Sequence, residues 1–238
     1  LKDGTTLSGS DSTGNNNGTI SGNTTAATGK IDGSSSHDGT GDEVNVGNGS
    51  TLSVTTLTVS AWFKVNDVTK SRNWVFGHRN DQNGANGRFD LAVVNDTKLY
   101  GQIYDSAYRS VGTTSTLSNN TWYYGAFTNN GSTLTLYLNG VPDGTPLAVG
   151  GTFAGAANTT LIGGQSTDLP VNGMGGYIDE VHLSNTARSS GWILTEYNNQ
   201  YSPSTFYSLG NPESTTPPSP SLILFRPGAI FRTGIIFR

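Results

Sequence analysis

Oxygen-bearing side chains cluster in Asp11-Ser-Thr-Gly-Asn-Asn-Asn-Gly18, where Asp11, Asn15, Asn16 and Asn17 alternate with glycines that let backbone carbonyls turn inward. That composition suits calcium, which takes about six to eight oxygen ligands from carboxylates, amides and carbonyls. The same residues form Asx turns without any ion, so both readings stay open at this point. A second group suits sugar recognition, which stacks aromatic rings on sugar faces and offers polar side chains to hydroxyls. It comprises Trp74, Tyr100, Tyr104 and Tyr108, with Arg79 heading the polar run Asn80-Asp-Gln-Asn83. Tyr108 and Arg109 break the surrounding alternation near a loop, and together with Arg79 they are the expected ligand contacts. The opposing view is that Trp62, Trp122 and Trp192 are core residues and that Tyr100 and Tyr104 merely alternate along a strand.

Hydrolysis has little machinery. A glycosidase needs two carboxylates about 5 to 9.5 Å apart, yet Glu occurs only at Glu43, Glu180, Glu196 and Glu213. Asp179 and Glu180 are adjacent and would face opposite sides of a strand. There is no Cys and no Ser-centred elbow, and His37, His78 and His182 show no evident nucleophile partner. No enzyme is expected.

The elements that position these residues are short strands. Leu57, Val59, Ala61, Phe63 and Val65 recur at period two, as do Leu134, Leu136 and Leu138. Asn139-Gly140 suits a two-residue type I′ hairpin, because both residues tolerate positive φ. Further strands are expected over Trp74–His78, Arg88–Val94, Lys98–Tyr104, Trp122–Asn129, Thr160–Gly163 and Gly175–Leu183. Many short strands with Gly-rich turns predict a sandwich. Thr186–Asn199 breaks the rhythm: Trp192, Leu194 and Tyr197 fall at helical spacing, which predicts one short helix weakened by Gly191.

Composition fits this class. The 238 residues suit one large all-β domain with extras. Charged residues are only 13%, which excludes a basic nucleic-acid binder and suggests an exterior setting. Without Cys, a secreted domain must rest on its core alone. No run approaches the roughly 18 apolar residues of a membrane span. The chain begins at Leu1, so either an N-terminal segment was processed away or the precursor starts upstream.

Six motifs in order carry a family resemblance: Asp11-Ser-Thr-Gly-Asn-Asn-Asn-Gly-Thr-Ile20, Gly29-Lys-Ile31, Asp38-Gly-Thr-Gly-Asp-Glu-Val44, Val59-Ser-Ala-Trp-Phe63, Leu136-Tyr-Leu-Asn-Gly140 and Tyr177-Ile-Asp-Glu-Val181. Over Leu1–Leu209 the chain resembles the laminin G-like, concanavalin A-like jelly rolls of bacterial and phage surface proteins. The resemblance implies two curved antiparallel sheets, usually non-catalytic, often binding glycans or proteins and often holding one structural calcium. By the same resemblance Asp179 would come from the far end of the chain to join Asp11, Asn16 and Gly18 around that ion. The Glu-x-Asp-x-Glu strand of the related glucanases is missing. His37 stands where such domains commonly have Phe, and is expected to replace that ring at a partly buried position.

The C-terminus is of another kind. Asn211–Pro220 is rich in Pro, Ser and Thr and should be an extended spacer. Beyond it a hexad repeats, placing Phe225, Phe231 and Phe237 on one face of an extended strand and Arg226, Ile230, Arg232 and Ile236 on the other. Net charge is −6 up to Gly210 and +2 beyond it. The repeat could be an incidental sticky terminus, a strand on its own domain, or a donor strand for a neighbouring copy. The spacer spans up to about 31 Å, which favours the last and hence a homo-oligomer.

Residues 1–210 are therefore expected to form an all-β, two-sheet antiparallel jelly roll with one short C-terminal helix, 211–220 a spacer and 221–238 an assembly strand. The expected role is a non-enzymatic subunit of a cell-surface, extracellular or virion assembly, displayed by the jelly roll and joined through the tail. The alternative is a carbohydrate-binding or adhesion module that the tail anchors to a larger body. No nucleic-acid partner is expected.

Overall fold

The structure is a computed structural model, and it describes residues 6–79, 88–149, 158–164, 173–203 and 210. The chain divides into a unit of Leu1–Phe206 and a second of Tyr207–Arg238. Apart from Gly210 the described residues belong to the first. The polar run 80–83, the spacer and the hexad repeat, with Phe225, Arg226, Ile230, Phe231, Arg232, Ile236 and Phe237, lie outside the described residues.

In chain order the strands are β1 (Thr19–Ser21), β2 (Thr25–Thr28), β3 (Gly33–Asp38), β4 (Glu43–Gly47), β5 (Leu57–Val65), β6 (Arg72–His78), β7 (Phe89–Val94) and β8 (Lys98–Tyr104). There follow β9 (Tyr108–Gly112), β10 (Trp122–Asn129), β11 (Thr133–Leu138), β12 (Val141–Pro142), β13 (Leu147–Ala148), β14 (Thr160–Ile162) and β15 (Gly175–Ser184), then helix α1 (Ser190–Tyr201). Two sheets result, ordered β1-β4-β14-β6-β7-β8-β9 and β12-β11-β10-β5-β15-β3-β2, with β13 on β11. The pairings are antiparallel throughout. This is the expected jelly-roll sandwich.

Alternation determines which side chains go inside. On β5, Leu57, Val59, Ala61, Phe63 and Val65 are buried in the main core with Phe89, Leu91, Leu99, Phe127 and Leu134. Glycine stands where the sheets meet: a Cβ on Gly125 would lie 2.7 Å from Leu99 of the facing sheet and 2.9 Å from Phe63. Large side chains thus interdigitate with a missing one, as close packing requires. Asn139 and Gly140 both have positive φ, 51° and 82°, as a type I′ turn demands.

The outer face of the eight-stranded sheet is covered by α1. The helix begins at Ser190, later than the expected Thr186, because Ser189 caps it: its hydroxyl accepts from the Trp192 amide. It buries Ile193 against Trp62, Tyr124, Ala126 and Tyr137. The Trp62 ring stacks on Tyr197 at 5.6 Å, and its indole N–H donates to Gln200 at 2.8 Å. Trp192, expected in the core, is instead 38% exposed. The helix turns Ile193 inward, one position along from the residue that large size favoured.

Candidate functional site

The outer face of the seven-stranded sheet carries a different set. In register across β6, β7, β8 and β9, Trp74 neighbours Ala92, then Tyr100, then Gly112; the next row runs Gly77, Asp90, Gln102, Ser110. Exposure is graded across it. Tyr108 is 47% exposed, Arg72, Tyr100 and Ser110 are half-buried, and Trp74, Arg79, Arg88, Asp90 and Gln102 are buried.

Guanidinium groups line this face. Arg72 and Arg79 lie 5.1 and 5.2 Å from the Trp74 ring centre, and Arg88 lies 5.6 Å from that of Tyr108, within cation–π range. Arg88 Nε donates to Asp90 Oδ2 at 2.9 Å. Burial pushes the Asp90 carboxyl above its ordinary range, and Arg88 opposes that. Tyr100 donates to Asp96 at 2.6 Å, which pushes its phenol up to about 12. Two buried polar atoms here, Trp74 Nε1 and Asp90 Oδ1, have no hydrogen-bond partner. Such atoms are rare in folded chains and are normally satisfied by ordered water or ligand.

Of the three expected ligand contacts, the structure brings Tyr108 and Arg79 to this face. Arg109 points away: it pairs with Ile103 on the core-facing register and donates to Asp105 at 3.1 Å. Adjacent residues of a strand face opposite sides, so Tyr108 and Arg109 could not both serve one surface. Sequence reasoning missed Arg72 and Gln102. Their parity with Trp74 and with Tyr100 was the available signal.

A cleft of about 970 Å³ opens elsewhere, and Asp11, Asn16 and Gly18 line it with Asp32, Glu180 and His182. The residues expected to hold calcium do not gather there as one donor set. Asp11 Oδ2 accepts from the Thr13 hydroxyl and from the amides of Asn15 and Asn16, which hold the carboxyl below its ordinary range. Asp179 is buried outside the cleft lining, its two oxygens accepting from the amides of Ile31 and Glu180 at 2.9 and 2.8 Å. Burial pushes it up to about 6. Among the described residues no three acidic, His or Cys side chains converge enough to hold a metal. Asp11 and Asp179 are instead each engaged by the chain's own amides.

A bulge in β15 separates Asp179 from its neighbour, the register slipping between Asp179 and His182 and Glu180 taking φ 48°. Glu180 therefore reaches the cleft, where its Oε2 lies 3.6 Å from His182 Nε2, while His182 Nδ1 is 2.6 Å from Glu196 Oε1 on α1. Tyr124 donates to the other Glu196 oxygen. Held by Glu180 and Glu196, the imidazole is raised to about 9. His182 thus has partners, and they are carboxylates rather than a nucleophile. His37 is buried, its Nε2 2.9 Å from the Ser35 hydroxyl, and burial lowers its pKa, so it is a neutral core ring as expected.

A family model for the laminin G-like branch of the concanavalin A-like lectin/glucanases superfamily matches residues 38–194. The chain belongs to that superfamily. No curated protein matches it. Among solved structures it is similar to domain 4 of a GH43 extracellular arabinanase from Geobacillus stearothermophilus, solved in complex with arabinotriose: 22% identity, TM-score 0.64, covering 79% of this chain and 91% of that one. It is also similar to the receptor-binding domain of botulinum neurotoxin C/D mosaic serotype, at 19% identity and TM-score 0.61, covering 82% of this chain and 51% of that one. A Trypanosoma rangeli sialidase matches at 16% identity and TM-score 0.56, over 74% of this chain and 29% of that one. At these identities the likeness is one of fold.

Proposed function

We propose that the chain is a non-enzymatic carbohydrate-binding module that works outside the cell and reads sugars on the outer face of the seven-stranded sheet. The observation that carries this is the array of Arg72, Trp74, Arg79, Arg88, Tyr100 and Tyr108 on one face, with Tyr108 exposed at its rim. Rings and planar donors in one surface suit a sugar, which has one apolar face and a ring of hydroxyls. The similar arabinanase domain was solved with an oligosaccharide, which supports the reading by fold analogy. The non-enzymatic reading is supported by two acids of the cleft being engaged, Asp11 within its own loop and Glu180 with His182.

Binding of the full chain to a glycan array, followed by titration calorimetry on the hits, tests this. Tyr108→Ala should weaken the selected sugar about tenfold, in keeping with the loss of one ring contact. A blank array across all sugar classes overturns the proposal, and release of reducing ends from a bound oligosaccharide overturns its non-enzymatic part.

The hexad repeat favours an added role in assembly. In this proposal Phe225, Phe231 and Phe237 pair with a neighbouring copy, joining the modules at a cell or virion surface. Light scattering on the full chain beside a chain lacking 219–238 tests it. Equal subunit numbers in solution would remove the assembly role.

A further inference from the structure

Arginines 88 and 109 of the seven-stranded sheet each have a carboxylate within 3.1 Å, Asp90 and Asp105. Arg72 has none. Its guanidinium lies against the Trp74 ring, donates a long hydrogen bond, 3.5 Å, from Nη1 to Gln102 Oε1, and also reaches the Tyr108 hydroxyl. Gln102 is itself held in place, its amide donating to Ser110 at 3.1 Å. Of the nearby carboxylates, Asp90 gives one oxygen to Arg88 and Asp96 accepts from the Tyr100 hydroxyl. Among the described residues Arg72 is thus a half-buried, held cation with no carboxylate in ion-pair contact, set on the face whose rim is Tyr108.

A guanidinium fork in that condition matches a carboxylate better than a hydroxyl. Its paired N–H groups can bind both oxygens at once, and charge-assisted bonds of this kind are about twice as strong as neutral ones. Because stacking on Trp74 already orients the plane, little further ordering is lost on binding.

Resting on the carbohydrate-binding reading above, we infer that the sugar is acidic: Arg72 receives the carboxylate of a uronic or sialic acid residue while Tyr108 and Tyr100 flank its ring. A neutral sugar would leave the Arg72 charge uncompensated, so the acid is selected by charge as well as shape.

Titration calorimetry of the full chain with trigalacturonic acid and with sialyllactose, each beside its methyl ester, separates the two sources and isolates the charge. The better acid should bind about 10- to 100-fold more tightly than its own ester, and the advantage should shrink as salt is raised. Arg72→Gln should erase the difference between acid and ester, the ratio of the two affinities being the readout rather than either alone. Arg72→Lys, which keeps the charge but not the fork, should fall between, and it serves as the second variant if Arg72→Gln melts early. Equal binding of acid and ester overturns the inference and leaves the carbohydrate reading standing, as does tight binding of neutral glycans alone. A preference for acid that survives in both variants also overturns it. Failure of every glycan, acidic or neutral, removes both.

Discussion

His182 is clamped between Glu180 and Glu196, and its titration should register in stability. Its pKa is about 6.5 in an unfolded chain and about 9 in the folded one. A raised folded pKa means that the stabilisation is complete below the unfolded value and is lost as pH rises through the folded value. Melting temperature should therefore decline between about pH 6.5 and 9, and His182→Gln should flatten that decline. The slope will be shallow, because 46% of the His182 side chain is exposed and solvent screens the pairs. A variant whose profile matches the parent across this window would show that the clamp contributes nothing. The partner could not be found from sequence: Glu196 is fourteen positions on, in another element, and only the fold of α1 onto β15 brings the two within 2.6 Å. His37 was legible for the opposite reason, since its place was defined by the apolar ring it replaces.

At the scale of elements, α1 stands on Ile193 and on the Trp62–Tyr197 stack. Ile193→Ala should cost about 2–5 kcal/mol in denaturant unfolding. Trp192→Ala, on the exposed side, should cost well under that, reversing the order that residue size alone would give. The turn at Asn139-Gly140 feeds the same packing: a methyl on Gly140 would lie 2.9 Å from the Tyr197 ring and would sit at φ 82°. Gly140→Ala should then destabilise by about 1 kcal/mol or more, seen as a lower midpoint with unchanged slope. Strands were largely legible, because a half-buried sheet writes its period into every second residue of β5 and β11. The helix start was less so. Spacing signals a helix, but the residue that caps it determines where it begins, and Ser189 lies three positions inside the expected boundary.

For the whole molecule, the two sheets meet without room to spare. Gly125→Ala should cost about 1–3 kcal/mol by overpacking against Leu99 and Phe63, measured as a drop in melting temperature. A chelator should leave that temperature unmoved, since the donors of Asp11 and Asp179 are taken up by the chain's own amides; a clear shift with added calcium would show that this donor set was misjudged. The fold class followed from alternation and turns. The ligand face did not, because which of several tyrosines and arginines share a surface depends on strand order. Trp74 and Tyr108 come to one face only through the succession β6-β7-β8-β9. The loop at Asp11 carries two signals for a related reason: a run of Asn and Gly that can bind an ion can equally close on itself.

Helix α1 has a consequence for valency. By covering Trp62, Tyr124 and Tyr137 on the outer surface of one sheet it leaves the proposed sugar face on the other, which bears the ring-and-guanidinium array. Under the proposed reading one module offers one such face, and several copies held together would hold a repeating polysaccharide more firmly than one. Avidity then depends on spacing between modules, and can exceed single-site affinity by about 10²–10⁴ without any new contact.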